Sequence, residues 1–539
     1  ALNIAQAAAL SVDELREWLA GLALSPFEAR VSVTVVRELA DRLEFMSAVG
    51  LGYLSLDRQA RTLSGGEMQR IRLAGSLGSR LVDTLYVLDE PTIGLHARDV
   101  ERFLTVLGKL RDRGNTVLVV EHETSVMREA DRILELGPGA GEHGGELVFE
   151  GCYRDLAAAE TATGRALREG VAAGRRSPGP PRAWLRLQGA SLHNVRDLDV
   201  EIPLERLTVV TGVSGSGKST LVHDVLYRAL EKTLHGGSSA RRHLGEAAGT
   251  WRSLSGVELL EEVVLVDQSP IGRTPRSNPI TYIKAYAEIR RLFAEQPEAR
   301  RRGFGAGHFS FNVEGGRCEA CKGAGEELVE MVFLADVSMP CEVCEGRRFK
   351  PEILEVRYRG RSVRDVLDLT VDEAIRFFIR RDRLGQALWQ LQRVGLGYLR
   401  LGQPATTLSG GEAQRLKVAR ELARRPSKRQ RIYLMDEPTV GLGLGEIERL
   451  LGVVRQLVEA GNTVVLVEHD LDVIAAADWV VDLGPEAADA GGRIVVSGTP
   501  ADVMATPGSH TGWHLARHLE LARAADAVPR PGDPDARAG

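Results

Sequence analysis

The chain has 539 residues, of which 43% are apolar and 27% charged, and its formal net charge is −5. One hydrophobic core serves roughly 150 residues, so this length predicts about three or four domains of an ordinary globular protein. The small negative charge excludes a strongly basic chain, and any nucleic-acid surface must be local. No apolar run approaches the ~18 residues needed to span a bilayer, and no signal-peptide pattern follows Ala1.

The chain repeats itself in order, at a separation of about 345 residues. The recurring blocks are Val-Gly-Leu-Gly-Tyr-Leu, Thr-Leu-Ser-Gly-Gly-Glu, an apolar run ending in Asp-Glu-Pro-Thr, and Gly-Asn-Thr-Val leading to Glu-His. They begin at Val49 and Val394, Thr62 and Thr407, Leu85 and Ile432, and Gly114 and Gly461. Matching order and spacing indicate a duplicated domain. Residues 212–385 have no counterpart in the first copy, whose equivalent segment we expect upstream of Ala1.

The Ser-Gly-Gly runs are the first repeated element that carries chemistry. A serine and two glycines that open a helix create an anion-binding N-terminus, although such a run alone is common loop chemistry. Here the run occurs twice, each time ahead of a strand that ends in Asp-Glu. This combination resembles the ABC ATPase superfamily, in which the signature loop of one half closes over the ATP held by the other. The predicted nucleotide contacts are Ser64, Gly65, Gly66, Ser409, Gly410 and Gly411.

An acidic pair ends a buried strand in each copy, and a histidine follows the next strand. Carboxylates at the carboxyl end of a parallel strand point into the nucleotide crevice. Asp436 is predicted to hold the magnesium shell, and Glu437 to orient or deprotonate the attacking water. His469 could sense the γ-phosphate; a lone histidine is more often structural, but its recurrence favours function. The first-copy equivalents are Asp89, Glu90 and His122.

A strand followed by GxxxxGKS lies after a Pro-, Gly- and Arg-rich linker. The glycines allow backbone N–H groups to surround phosphates, Lys218 reaches the β- and γ-phosphates, and Ser219 offers its hydroxyl to Mg²⁺. An accidental glycine-rich turn is the alternative, which the flanking strand and helix disfavour. The predicted nucleotide ligands here are Gly212, Ser214, Gly215, Gly217, Lys218, Ser219 and Thr220.

Two CxxC pairs stand nineteen residues apart, at Cys318 and Cys321 and at Cys341 and Cys344. Paired CxxC motifs with a following glycine are typical of a structural zinc site, and four thiolates leave no open coordination position. A metal-free thiol cluster and a redox dithiol pair are the alternatives.

Basic residues crowd the same region, beginning with Arg273 and Arg276. Such runs are usually solvated faces. Their association with a zinc module predicts instead a nucleic-acid surface that contacts phosphates rather than reading bases.

Longer motifs in this region resemble the UvrA family, the damage-recognition ATPases of bacterial nucleotide excision repair. They are DQSPIGRTPRSNP from Asp267, FSFNVEGGRCEAC from Phe309, LGQPATTLSGGEAQR from Leu401 and ADWVVDLGP from Ala477. The resemblance extends from about Val31 to Val503. It implies a cytoplasmic, homodimeric protein that uses ATP, Mg²⁺ and Zn²⁺, binds distorted duplex DNA, passes it to UvrB and has no nuclease activity. It also implies that Gln268 links nucleotide to the inserted module and that Arg273 contacts DNA.

The predicted fold is α/β, with tandem ABC-type P-loop ATPase domains, the first partial, and an inserted zinc-binding, DNA-contacting module. The predicted boundaries are 1–170 for the first domain, 171–183 for the linker, 184–270 and 386–523 for the second domain, 271–385 for the insertion and 524–539 for a disordered tail.

Three departures from the family pattern leave other functions open. The first P-loop and the UvrB-docking region are not in this sequence, Gly443 stands where His96 stands in the first copy, and the tail is rich in Ala, Pro and Asp. A UvrA-like paralogue that acts on drug-bound DNA is one alternative. The ATPase subunit of a membrane exporter is another, although it gives no reason for the four cysteines.

Overall fold

The computed structural model describes residues 2–60, 65–77, 82–139, 141, 144–169, 179–236, 249–272, 274–329, 337–378, 382–424 and 429–526. The described chain forms two compact units. The first comprises Ala1–Glu135, Leu147–Leu265 and Lys428–Gly539, and the second Leu136–Glu146 and Val266–Ser427. Most of the predicted linker and of the predicted tail lies outside the described residues. Among the described helices, none is both long and apolar enough to cross a membrane.

The first copy of the repeat begins with helices and continues with strands that pair in twos. Strand β1 is parallel to β2, and β3 pairs with β4. The element bounds are α1 Ile4–Ala9, α2 Val12–Ala20, α3 Pro26–Met46, α4 Gly65–Leu77, β1 Leu85–Asp89, α5 Ala97–Asp112, β2 Thr116–Val120, α6 Thr124–Glu129, β3 Ile133–Gly137, β4 Glu146–Gly151, α7 Tyr153–Ala158 and α8 Ala162–Glu169.

The second copy is built around a six-stranded sheet of order β15-β14-β7-β13-β12-β9 and a three-stranded antiparallel sheet of order β6-β5-β8. Its elements in the first unit are β5 Trp184–Leu192, β6 Val195–Pro203, β7 Leu207–Gly212, α9 Arg228–His235, β8 Ser253–Ser255, β9 Leu260–Val266, β12 Gln430–Asp436, α18 Leu444–Glu459, β13 Thr463–Val467, α19 Leu471–Ala475, β14 Trp479–Gly484, β15 Arg493–Gly498, α20 Pro500–Ala505 and α21 His510–Asp526. A π-helical segment, Thr220–Tyr227, joins the P-loop to α9.

The central strands of this sheet are parallel and apolar because both of their faces are covered. Strand β7 lies between β13 and β14, parallel to both, and every one of its residues is buried. Strand β13 in turn lies parallel to β12. The carboxyl ends of β7, β12 and β13 therefore meet at one edge, where the predicted nucleotide residues follow each strand.

The second unit holds short helices, a β-hairpin and the helix that follows the second Ser-Gly-Gly run. Strand β10 is antiparallel to β11, and the residues of β11 are exposed. The bounds are α10 Pro279–Tyr282, α11 Tyr286–Ala294, α12 Pro297–Arg301, β10 Glu326–Val329, β11 Val337–Pro340, α13 Pro351–Leu354, α14 Val363–Leu367, α15 Val371–Phe377, α16 Asp382–Arg393 and α17 Gly410–Leu422. This unit runs to 427, beyond the predicted end of the insertion at 385.

The predicted duplication is visible contact by contact. In each copy the tyrosine of the first repeated block donates to the glutamate after Ser-Gly-Gly, Tyr53 to Glu67 at 2.5 Å and Tyr398 to Glu412 at 2.6 Å. In each copy the threonine of Asp-Glu-Pro-Thr donates through its hydroxyl to the glutamate that precedes the histidine, at 2.5 Å and 2.6 Å. The two copies of the sequence repeat thus form the same hydrogen bonds.

Candidate nucleotide site

The P-loop leaves the buried strand β7 and bends sharply through glycines. Gly212 and Gly217 have φ of 131° and 101°, which side-chain-bearing residues rarely adopt. A Cβ at Gly212 would lie 1.9 Å from the carbonyl oxygen of Leu483 on the neighbouring strand β14. Glycine is therefore required where the loop leaves the sheet. Ser219 is already helical, and Thr220 begins the segment that follows the loop.

Lys218 lies inside this loop and is buried. Its Nζ donates to the carbonyl oxygens of Gly212 and Val213, at 2.9 Å each. Burial lowers the pKa of Lys218 to about 8, although nearby carboxylates, with Glu437 foremost, oppose the shift. The ammonium group is thus held at the centre of the loop, where a phosphate would meet it.

The acidic pair and the histidine meet beside the loop. Strand β12 ends at Asp436, and Glu437 follows with φ of 44°, its N–H bonded to the carbonyl of Val467 at 2.9 Å. His469 Nε2 lies 3.5 Å from Glu437 Oε1. Asp436 Oδ2 lies 3.5 Å from Nε2 of His223, on the segment after the P-loop.

Burial and charge set the protonation of this pair. Although burial raises it, the hydrogen bond from His469 and the charges of His469 and Lys218 leave the pKa of Glu437 below its usual range. Burial, with the charge of Lys218, lowers the pKa of His469. The arrangement therefore favours an ionised carboxylate on Glu437. A carboxylate held in this way can accept a proton from water.

The first copy repeats the acidic geometry without a phosphate loop. Glu90 has φ of 44°, and its N–H bonds to the carbonyl of Val120 at 2.9 Å. His122 Nε2 lies 3.4 Å from Glu90 Oε1. Here the hydrogen bond to Glu90 raises the pKa of His122, the opposite direction from His469. The sequence contains one GxxxxGKS run, and it belongs to the second copy.

Segments of the first copy complete the surroundings of the P-loop. The D-segment, defined here as residues 94–99, follows Asp-Glu-Pro-Thr-Ile. Ser214 of the P-loop donates through its hydroxyl to the carbonyl of Gly94 at 3.2 Å, and its N–H to Asp99 at 3.4 Å. A Cβ at Gly94 would lie 3.1 Å from Glu437 Oε1, and one at Gly441 would lie 3.4 Å from Glu90 Oε1. Each copy thus places a glycine against the glutamate of the other.

A cavity of about 270 Å³ lies between these related segments. Its lining includes equivalent residues from both copies, although the P-loop does not border it. The paired lining residues are Glu90 and Glu437, Thr92 and Thr439, and His122 and His469.

The signature run of the first copy is only partly described. Ser64 lies outside the described residues, while Gly65 and Gly66 begin α4. Glu67 is buried and accepts the hydroxyl of Tyr53. The ring of Tyr53 lies against the P-loop, since a Cβ at Gly215 would be 3.0 Å from it.

The second signature run belongs to the second unit. Ser409 caps α17, accepting the N–H of Glu412 at 3.2 Å. Gln268 lies beside this helix end, because a Cβ at Gly410 would be 3.4 Å from its Cβ. Lys417 pairs with Asp267, the residue before Gln268. Gly411 continues the helix, so the two N–H groups after Ser409 lie at its N-terminus.

The four cysteines form one buried cluster whose sulfur atoms all lie within 4.8 Å of one another. The Sγ atoms of Cys321 and Cys344 are 3.7 Å apart. Zn–S bonds of about 2.3 Å in a tetrahedron place sulfurs about 3.8 Å apart, so the donor set fits zinc. In each CxxC the two residues that follow have positive φ, Lys322 and Gly323 after the first and Glu345 and Gly346 after the second. Both pairs therefore form the same tight knuckle.

The basic runs near this cluster largely form ion pairs within the second unit. Arg302 pairs with Glu298 and Glu355, and Arg317 with Glu314 and Glu319. Of the two predicted DNA contacts, Arg276 is half-buried and Arg273 lies outside the described residues.

Sequence reasoning missed Tyr53, Gly94, His96 and Asp99, all of which touch or approach the P-loop region. Tyr53 belongs to the repeated Val-Gly-Leu-Gly-Tyr block, and Gly94 has Gly441 as its counterpart. Their recurrence was a usable signal, but nothing in a linear sequence indicates which loop of the other copy they approach.

This chain is similar to several known proteins. A family model described as ABC transporter matches residues 347–440. UvrABC system protein A of Thermus thermophilus is 52% identical over 529 residues, covering 96% of this chain and 54% of that protein. The corresponding protein of Micrococcus luteus is 51% identical and covers 96% of this chain and 52% of its own length.

Among solved structures, that of UvrA2 from Deinococcus radiodurans matches with a TM-score of 0.85 and 45% identity, covering 96% of this chain and 63% of that one. The chain spans about half the length of the curated relatives it matches.

Proposed function

Because this chain belongs to the UvrA family, we propose that it serves ATP-dependent recognition of distorted duplex DNA in nucleotide excision repair. One observation carries the proposal. Within a single compact unit, the P-loop with Lys218, the Glu437–His469 pair and the D-segment of the other copy surround one place. Two copies of a repeat that complement each other in this way form a nucleotide site whose closure depends on both.

The residues at this site fit ATP with Mg²⁺. Backbone N–H groups of the P-loop and the ammonium of Lys218 would hold the phosphates, and Ser219 and Asp436 would hold the cation shell. The bound cation would neutralise charge that develops on the phosphate oxygens. Glu437 would orient and deprotonate the attacking water, with His469 keeping its carboxylate in place. Ser64, Gly65 and Gly66 would close the site from the first copy.

The first-copy residues Asp89, Glu90 and His122 would belong to a second nucleotide site, and Ser409, Gly410 and Gly411 would likewise contact nucleotide. In this proposal Gln268 relates nucleotide state to the second unit, since it lies beside Gly410 at the end of the signature helix.

The four-cysteine cluster would hold one zinc ion with a structural role. Four buried thiolates fill a tetrahedral shell, so no position remains for a reactive water. The cluster would fix the fold around the hairpin of β10 and β11, and through it the surface that meets DNA.

The macromolecular partners follow from the family. They are a distorted DNA duplex, a UvrB-like protein and a second copy of the chain. The location would be the cytoplasm, and Arg273 and Arg276 would be among the DNA contacts. A paralogue that acts on drug-bound DNA has no observation of its own in its favour, and neither does an exporter subunit.

Anisotropy measurements with two matched duplexes test this proposal. In the presence of ATP, a duplex with one bulky covalent adduct should bind several-fold more tightly than the same unmodified duplex. Affinity should fall steeply with salt, because phosphate contacts release counterions. Equal affinity for both duplexes at every salt concentration would refute damage recognition. Preference for a drug-intercalated duplex over the adducted one would support the paralogue instead.

A further inference from the structure

A buried chain of polar groups joins the D-segment of the first copy to the strand beside the P-loop. His96 Nε2 lies 3.1 Å from Thr511 Oγ1, and Thr511 donates to Asp482 Oδ1 at 2.9 Å. Ser509 donates to the other carboxylate oxygen of Asp482 at 2.7 Å. These residues are between 1% and 4% exposed. Asp482 lies on β14, opposite Thr211 of the P-loop strand.

The neighbours of His96 determine its tautomer. Its Nδ1 accepts the N–H of Arg98 at 3.2 Å, so the proton of a neutral ring must be on Nε2. Burial, together with the charges of His469 and Lys218, holds the pKa of His96 well below its usual range. A neutral His96 therefore donates to Thr511, which donates to Asp482, so both hydrogen bonds run from the D-segment toward Asp482.

The other end of the D-segment reaches the groups that act on nucleotide. The N–H of His96 lies 3.4 Å from Ser214 Oγ of the P-loop, and Ser214 bonds to the carbonyl of Gly94. Gly94 lies against Glu437. The His96 ring also meets that of His469 edge to face, with ring centres 6.5 Å apart. One side chain thus lies between the P-loop, the Glu437–His469 pair and the start of α21.

We propose that His96 is a positioning residue that, through Thr511 and Asp482, holds the D-segment of the first copy against the P-loop and Glu437. The hydrogen bonds from His96 through Thr511 to Asp482 anchor α21 and the D-segment to the strand next to the phosphate loop. The D-segment therefore keeps Gly94 at the position that confines the Glu437 carboxylate. The second copy has Gly443 at the equivalent position, which supplies no side chain. The device therefore serves one nucleotide site, and it rests on the proposed ATPase function.

Two substitutions of His96 separate its two hydrogen bonds. His96→Asn keeps an acceptor at the position of Nδ1 and loses the donor at Nε2, whereas His96→Gln extends an amide donor toward Thr511. Thr511→Val removes the middle hydroxyl without changing the volume of the side chain. Thr506→Val is the matched control, because within the described part of the chain the hydroxyl of Thr506 donates to the carbonyl of Asp502, four residues earlier.

Steady-state ATPase kinetics should split kcat from KM. His96→Asn and Thr511→Val should lower kcat about tenfold, because each removes one buried hydrogen bond from the series that ends on the Asp482 carboxylate. The KM for ATP should change less than about twofold. His96→Gln should recover most of kcat, and Thr506→Val should keep it. Thermal melting checks that each variant is folded.

Full kcat in Thr511→Val would overturn the proposal. So would equal losses in His96→Gln and His96→Asn, because a packing role would not distinguish them. The proposed function fails separately, if Lys218→Ala retains ATP binding with wild-type affinity.

Discussion

Glu90 and Glu437 share φ of 44° and a histidine at 3.4 to 3.5 Å, yet the two histidines have opposite shifts in pKa. His469 lies in a buried place near Lys218, which disfavours a second positive charge. His122 is more exposed and is dominated by its bond to Glu90. Identical residues at matched positions thus have opposite pKa shifts, because burial and the charge of Lys218 act on His469 whereas the bond to Glu90 dominates at His122.

The pKa of Lys218 predicts how ATP binding depends on pH. Below about pH 8 the Lys218 ammonium is charged before ATP binds, so the affinity for ATP should not change with pH. Above this pH the free protein must first take up a proton, and affinity should fall by up to about tenfold per pH unit. Calorimetry in buffers of different ionisation enthalpy should show proton uptake on binding above pH 8.

Lys218→Arg is the control for this prediction, because arginine stays charged throughout the range. Its ATP affinity should be independent of pH even if it is weaker overall. A wild-type affinity that is constant up to pH 10 would contradict the assignment of Lys218 as the titrating group.

At the scale of elements, the same sequence block has different surroundings in the two copies. Strand β12 is buried, with Ile432 and Leu434 at 0% exposure, whereas Leu85 and Val87 at the matching positions of β1 are each 60% exposed. Strand β13 of the second copy pairs with β7, and the described part of the first copy has no strand that corresponds to β7. Apolar residues on a strand are therefore a signal of sheet membership, while burial depends on which neighbours cover the sheet.

The two cysteine knuckles predict a metal-dependent element in the second unit. Wild-type protein should hold about one zinc ion per chain, and Cys341→Ser should lose it and lower the melting temperature, because metal binding and local folding are coupled. Elemental analysis and thermal melting measure both effects. Cys152→Ser is the matched control, since Cys152 is an exposed free thiol. A folded, reduced wild-type protein without zinc would contradict the prediction.

At the scale of the whole molecule, each copy is incomplete without the other. The P-loop and the Glu437–His469 pair come from the second copy, while Tyr53 and the D-segment come from the first, and all of them lie in one compact unit. Intramolecular complementation keeps these parts at high effective concentration.

Matched substitutions of the two glutamates test this asymmetry. Glu437→Gln should still bind ATP but lower kcat by at least about a hundredfold, since it removes the proton acceptor beside the P-loop. Glu90→Gln should lower kcat by less than about threefold in this chain, whose sequence holds one P-loop. Nucleotide binding and phosphate release distinguish the two variants. Equal losses in both would show that the glutamates act at one shared site.

The sequence by itself determined the duplication, the P-loop, the acidic strands and the four cysteines, because each depends on short-range spacing. GxxxxGKS and CxxC are local constraints on backbone conformation, and the observed φ values at Gly212, Gly217, Gly323 and Gly346 are what those glycines permit. The α/β fold was predicted from the same motifs, because a P-loop and an acidic strand end both belong to a parallel sheet with helices.

Only the tertiary structure decided which parts of the two copies meet. Contacts such as Gly94 with Glu437 and His96 with Thr511 join residues hundreds of positions apart, and no periodicity encodes such pairs. The pKa shifts of His96, His122 and His469 were decided there as well, since burial and neighbouring charge are properties of the folded chain. The repeat supplied two similar sets of acidic residues and histidines. Packing made them unequal, because it placed Lys218 and the start of α21 beside the second-copy set.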